Sequence, residues 1–236
     1  MPTPIFIINR DRVTVLKKCL PGYLALGDVQ IIIHDNNSTY PPMIEYLKEL
    51  ESQGIIVKRI PEKPQDFNVI SEDIADTIKE WYQTNSSPYY IVTDPDIELE
   101  NPCPELLQYY IDVLNACPRA VCVGPMLRID DLPECFKFRD RMIYSHMEQF
   151  WGPQHTRHFF KGAYIQTAAI DTTFALYPSH FEFRRLNVGV RVHEPYMARH
   201  LDWYMDTDNL TEEQQYYKDH ASDVSTMSMH IRNGGM

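Results

Sequence analysis

The sequence predicts an α/β fold: a single domain with a mostly parallel, mixed central sheet flanked by helices. Three observations carry this prediction. Short apolar runs alternate with stretches whose apolar residues recur at helical spacing, the alternation that builds βαβ units with right-handed crossovers. The runs place Ile and Val on consecutive positions, as strands covered on both faces do. No internal repeat or low-complexity linker divides the 236 residues, a length that one large α/β domain fills.

The first half spells out its units in order. PIFII (4–8) reads as a buried strand, and Asp11 is placed to cap a helix carrying Val13, Leu16 and Leu20 that ends near Pro21-Gly22. QIIIH (30–34) is the second strand. After it, Ser38 or Thr39 caps a helix with prolines in its first turn, apolar Met43, Ile44, Leu47 and Leu50, and Gly54 as its stop. IIVKRI (55–60) is the third strand, followed by a helix with Ile70, Ile74, Ile78 and Trp81 on one face, and YYIVT (89–93) is the fourth. Pro104 opens a helix bearing Leu107, Tyr110 and Leu114, and AVCVG (120–124) is a fifth strand. Beyond it, residues 126–162 are rich in Arg, His and aromatics, AYIQTAAI and FALYP have strand character, and LTEEQQYYKDHA reads as a late helix.

Composition narrows the function. A net charge of −11 argues against nucleic acid or an anionic membrane surface as a partner. No run approaches the roughly 20 apolar residues of a membrane span, and MPTPIFIINRDR has neither a basic segment nor a cleavage-like site. The expectation is a soluble, cytoplasmic protein, with peripheral attachment at a membrane left open. Five widely spaced cysteines without a CxxC pair read as reduced, mostly buried thiols.

In open α/β sheets, ligands bind beyond the carboxyl ends of the strands. Asn9-Arg10-Asp11, Asp35-Asn36-Asn37-Ser38 and Asp94-Pro95-Asp96 come directly after strands one, two and four, so three polar clusters should share one edge. In YYIVTDPDIELE the proline favours extended backbone, where residues two apart point the same way. The carboxylates of Asp94 and Asp96 therefore repel unless a proton, a hydrogen-bond donor or a cation relieves them. The sequence has no GxGxxG and no GxxxxGK followed by Ser or Thr, so a phosphate ligand is left to a metal. Two adjacent carboxylates make a hard-oxygen site for Mn²⁺ or Mg²⁺. The alternative is an acidic, proline-rich turn feeding a helix.

Five segments in order, IFIINRDRVTVLKKCL, IIIHDNNSTYPPMIEYL, YYIVTDPDIEL, AAIDTTFALY and PYMARHLDWY, resemble small nucleotide-sugar-dependent glycosyltransferases of the GT-A fold. The resemblance runs from about residue 4 to 205. It implies metal-dependent transfer of a sugar from a UDP-, GDP- or dTDP-linked donor to a glycan or other hydroxyl acceptor. It also implies a nucleotide-sugar-binding half over about residues 1–100 and an acceptor-binding half over about 101–236 of the one domain. Asn9, Arg10 and Asp35 match nucleoside-holding positions, with turn and capping roles as their alternatives. Asn68 resembles another donor-side position, although FNVISEDIADTI lacks the glycine common there. Asp94 and Asp96 match the DxD: Asp96 as a direct metal ligand, Asp94 beside the metal as a ribose or water-mediated contact. His200 in ARHLDWY matches the C-terminal histidine that completes the metal shell or meets the diphosphate, with His193 as the second choice and a structural histidine as the alternative.

An inverting transferase also needs a carboxylate near the acceptor hydroxyl. Asp171, which comes after a strand-like run and precedes two threonines, is the candidate. Its alternative is a turn or cap, and Asp202, Glu194 and Asp131 stand in reserve. Two other functions compete. A sugar-phosphate nucleotidyltransferase shares the sheet and the acidic site, but INRDRVTVLKK lacks the glycines of a triphosphate loop. A noncatalytic carbohydrate-binding or Ca²⁺-binding module is suggested by DTDNLTEEQ, which lacks the EF-hand glycine and reads better as a capped helix start.

Overall fold

The computed structural model describes residues 1–61 and 67–220. Its strands are β1 (Thr3–Asn9), β2 (Val29–Asp35), β3 (Ile56–Arg59), β4 (Tyr89–Thr93), β5 (Ile97–Leu99), β6 (Val123–Pro125), β7 (His158–Phe160), β8 (Ala163–Ile170), β9 (Ala175–Pro178), β10 (Asn187–Val192) and β11 (Ala198–His200). Its helices are α1 (Val13–Leu24), α2 (Pro41–Ser52), α3 (Phe67–Thr84), α4 (Pro104–Ala116), α5 (Arg139–His146) and α6 (Glu212–His220).

Nine strands form one mixed sheet in the order β3-β2-β1-β4-β9-β6-β10-β8-β7. The run β3-β2-β1-β4 is parallel, as a βαβ series requires, while β9 enters antiparallel between β4 and β6. The apolar runs are continuous because both faces of the sheet are covered. Ile5 and Ile7 of β1 join the larger core with residues of α1, α2 and α4, while Phe6 and Ile8 join the smaller one with Ile74, Ile78 and Trp81 of α3. Ile31 and Ile33 against Ile32 divide in the same way.

Several local expectations are corrected. α1 does not end at Pro21-Gly22: Pro21 lies inside the helix with its ring exposed, and burial of Leu20 and Tyr23 on the other face carries the helix to Leu24. Asp11 does not cap α1. It accepts the backbone N–H groups of Thr39 (2.6 Å) and Tyr40 (2.7 Å), so it caps the approach to α2 from a neighbouring loop. Ser38 and Thr39 are not the N-cap of α2 either, because Tyr40 holds that position without a side-chain bond. The fifth strand is shifted to Val123–Pro125. Only Cys19 and Cys122 are fully buried among the five free thiols, and Cys135 is exposed. At the start of α6, Thr211 and Gln214 close a reciprocal capping box (Thr211 N–H to Gln214 Oε1 2.9 Å, Gln214 N–H to Thr211 Oγ1 3.3 Å), the capped helix start read in DTDNLTEEQ. Among the described residues no helix is long and apolar enough to cross a membrane.

Candidate active site

The three polar clusters do share one edge. In the β1–β2 register Asn9 sits beside Asp35, and Asn9 Nδ2 donates to Asp35 Oδ1 at 3.1 Å. Ser38 completes the hold on Asp35 through its backbone N–H (3.1 Å) and its hydroxyl (2.5 Å). Burial raises the Asp35 carboxyl above its ordinary range, and the Ser38 and Asn9 donors offset part of that rise. Asn9 Oδ1 and Asn36 Oδ1 are buried without a partner, so acceptors are left over at this strand end. Arg10 donates through Nη2 to the His220 carbonyl at 3.3 Å, while its Nε and Nη1 make no hydrogen bond. Asn68 falls in the first turn of α3, and its side chain lies outside the described residues.

Asp94 and Asp96 leave the end of β4, and the path of the chain beyond them shapes the site. The chain turns at once into the short strand β5, which pairs antiparallel with β11 so that His200 sits opposite Ile97. The Leu201 N–H then closes on the Asp96 carbonyl at 2.8 Å. This two-stranded clip carries His200 Nδ1 to 3.2 Å from Asp96 Oδ2. One ligand atom from each of Asp94, Asp96 and His200 lies within 4.8 Å of the other two. A carboxylate pair at a strand end suggests a solvated crevice, yet Asp96 is only 3% exposed, because Arg12, His200 and Asp202 close around it.

The electrostatics of the cluster are those of a site short of positive charge. Burial, then the neighbouring Asp96 and Asp171 carboxylates, push Asp94 up to about 7 against the Thr172 hydroxyl bonded to it at 2.6 Å. Burial also raises Asp96, with His200 and Arg12 pulling the other way. His200 Nδ1 is buried with no hydrogen-bond donor or acceptor aligned to it, and its ring lies flat on Trp203 at 4.8 Å. Two carboxylates and an oriented imidazole nitrogen that makes no hydrogen bond are a donor set that fits Mn²⁺ or Mg²⁺.

Sequence reasoning missed the group that braces this cluster. Arg12, 6% exposed, donates through Nη1 to Asp202 Oδ2 at 2.9 Å and through Nη2 to Asp202 Oδ1, with Nη2 also 4.0 Å from Asp96 Oδ2. Burial works against the charge on Arg12, but Asp202 and Asp96 outweigh it and keep the guanidinium protonated. Burial would likewise raise Asp202, yet Arg12 holds it below the usual carboxylate range. Asp202 is thus committed to an ion pair. The other reserve carboxylates are committed too, Glu194 to Arg128 and Asp131 to Arg199 and Tyr204. Glu98 pairs with Lys18 at 3.1 Å.

Asp171 stands beside the cluster, next to Thr172, whose hydroxyl is bonded to Asp94. Its Oδ1 accepts the Thr172 N–H at 2.7 Å and Arg185 Nε at 3.2 Å, and the side chain is 40% exposed. Asp171 thus combines the turn role with a half-exposed carboxylate that is paired with Arg185. His193, the second-choice histidine, faces Gln166 Oε1 at 2.9 Å in the interior, where burial lowers it to about 4.

The strand order and this edge can be compared with known structures. A crystal structure of S. aureus TarS 1-349 aligns with 99% of this chain and 72% of its own, at a TM-score of 0.50 and 7% identity. The chain has the GT-A fold. A second S. aureus TarS structure gives a TM-score of 0.50 over 98% of this chain and 41% of that one, at 11% identity. A third, in complex with UDP-GlcNAc, gives 0.49 at 9% identity, over 84% of this chain and 58% of that one. Among curated proteins, an uncharacterized protein of Acanthamoeba polyphaga mimivirus is 30% identical over 134 residues, which are 55% of this chain. That match spans only 15% of the viral protein's length. No family model matches the chain.

Proposed function

We propose that the protein is a metal-dependent glycosyltransferase that moves a sugar from a nucleotide diphosphate donor to an acceptor hydroxyl. The observation that carries this reading is the Asp94, Asp96 and His200 cluster, closed by the β5–β11 clip at the carboxyl edge of a GT-A sheet. Asn9, Arg10, Asp35 and Asn68 are proposed to hold the nucleoside, Asp35 accepting from base or ribose hydroxyls and Asn9 offering its spare carbonyl oxygen. The half up to about residue 100 then serves the donor, and the remainder serves the acceptor. Asp94, Asp96 and His200 would hold Mn²⁺ or Mg²⁺, which when bound supplies the positive charge that offsets the departing diphosphate. Asp171 is proposed as the base that takes the proton of the acceptor hydroxyl, with Arg185 fixing the orientation of its carboxylate. The donors considered, UDP-, GDP- and dTDP-linked sugars, include the kind with which S. aureus TarS was crystallised.

The test is a screen of nucleotide sugars for Mn²⁺-dependent hydrolysis, which needs no acceptor. Turnover with at least one donor, lost in EDTA and in Asp96→Asn, is the expected result. Equal affinity for every nucleotide diphosphate with Mn²⁺ and with EDTA would sink the metal-bridged reading. Mn²⁺-dependent release of pyrophosphate from a nucleoside triphosphate and a sugar phosphate would favour the nucleotidyltransferase instead.

A further inference from the structure

Arg191, the penultimate residue of β10, is 4% exposed. Its Nε donates to the Ala169 carbonyl and its Nη1 to the Pro125 carbonyl, both at 2.9 Å, and the guanidinium carbon lies over the Phe150 ring at 4.6 Å. No carboxylate comes within ion-pair distance of it among the described residues. The third nitrogen, Nη2, makes no hydrogen bond and is not sealed from solvent. A buried cation without an anion is costly. Backbone carbonyls attract such a charge but do not neutralise it.

The position of this cation says what it faces. A continuous wall of rings runs from the carboxylate cluster to it: His200 on Trp203 (4.8 Å), Trp203 against His146 (4.6 Å), His146 against Phe150 (5.5 Å), and Phe150 under Arg191. Asp171 exerts its charge on both Asp94 and Arg191. The rings therefore tie Arg191 to the carboxylate cluster from the β10 side of the sheet, several strands away from Asn9 and Asp35 at the ends of β1 and β2. Two clamped nitrogens and a stacked face fix the fork, so Nη2 is preorganised to donate.

We propose that Arg191 Nη2 anchors an anionic group, a carboxylate or a phosphate, carried by the acceptor. The anion site stands on the geometry of Arg191 alone, and calling its occupant the acceptor rests on the transferase reading. The acceptor class is then a hydroxyl compound bearing a carboxylate or a phosphate rather than a neutral sugar.

Calorimetry on the full chain tests this with three matched probes: methyl glucoside, its uronic acid counterpart methyl glucuronide, and its phosphate monoester. Each is titrated with and without Mn²⁺ and UDP. At least one anionic probe is expected to bind the wild type about tenfold more tightly than the neutral glucoside, as a charge-assisted hydrogen bond provides. Which anion wins separates carboxylate from phosphate. In Arg191→Met the preference should shrink to within about threefold; if that variant does not fold, Arg191→Gln removes the charge while keeping a donor. A wild type without preference, a preference that survives loss of the charge, or competition between the anionic probes and UDP with Mn²⁺ would each overturn the proposal. The last would assign Arg191 to the donor diphosphate. A wild type that binds none of UDP, GDP or dTDP with Mn²⁺ defeats the transferase reading separately, and leaves the anion preference readable on its own.

Discussion

Arg12 and Arg191 are both nearly inaccessible guanidinium groups, 6% and 4% exposed, yet the molecule treats them in opposite ways. Arg12 is forked onto Asp202 and held near Asp96, so its charge is answered within the chain. Arg191 has two backbone carbonyls and a phenyl ring, and no carboxylate among the described residues. The carboxylates divide in the same manner. Burial raises all three, but Asp35 is met by three donors from Asn9 and Ser38 that offset part of the rise, whereas Asp94 is also raised by the Asp96 carboxylate beside it. Charges answered internally brace the fold. Those left unanswered mark places where something else is expected to bind.

The contrast breaks first at Arg12. Removing one partner of a buried pair costs about 3–5 kcal/mol, so Arg12→Met should lower the unfolding free energy by about that much in urea titrations. Arg191→Met should cost less, about 1–2 kcal/mol, because no opposite charge is stranded and only two carbonyls lose donors. Equal losses would erase the distinction between the two arginines.

Next in size is the proposed base. Asp171→Asn keeps the bonds from the Thr172 N–H and Arg185 but cannot take a proton, and transfer should fall by roughly 10² or more while donor affinity is unchanged. Unaltered transfer, or a product of retained anomeric configuration by NMR, removes Asp171 from the role.

A third experiment sharpens the reading of the acidic cluster. With Asp94 raised from its ordinary value to about 7, the folded protein holds a proton between about pH 4 and 7 that the unfolded chain releases. Its stability contribution therefore declines as pH rises through that window. In EDTA, Asp94→Asn should be more stable than the wild type at pH 7.5, and the gap should close near pH 4. Thermal denaturation across pH reads this directly, and a gap independent of pH would mean that Asp94 is not charge-strained.

The smallest effect concerns α6, whose Glu213 accepts both the backbone N–H and the hydroxyl of Thr14 at 2.9 Å in the first turn of α1. Glu213→Ala removes a cap supplied from a distant segment and should cost about 1 kcal/mol. Hydrogen exchange should show the loss confined to the start of α1 and to α6. Destabilisation spread over the whole sheet would contradict this local role.

Much of the first half of the chain was legible because its signals are local. A strand covered on both faces must be apolar at consecutive positions, so PIFII, QIIIH and YYIVT announced themselves, and the polar residues after each had to fall at one edge once the strands ran parallel. AYIQTAAI matched β8 from end to end. Local pattern could also show that Asp94 and Asp96 were in conflict. It could not show what surrounds them. β5, β11 and β7 are three residues each, too short to carry a period, and they exist through pairing with partners remote in the chain. That pairing, rather than anything in ARHLDWY, brings His200 to Asp96. Arg12 and Asp202 lie 190 positions apart, and the isolation of Arg191 is defined by which side chains fail to reach it. Hydrophobic periodicity is a property of neighbours along the chain, whereas the balance of buried charge depends on neighbours in space, which only the folded sheet brings together.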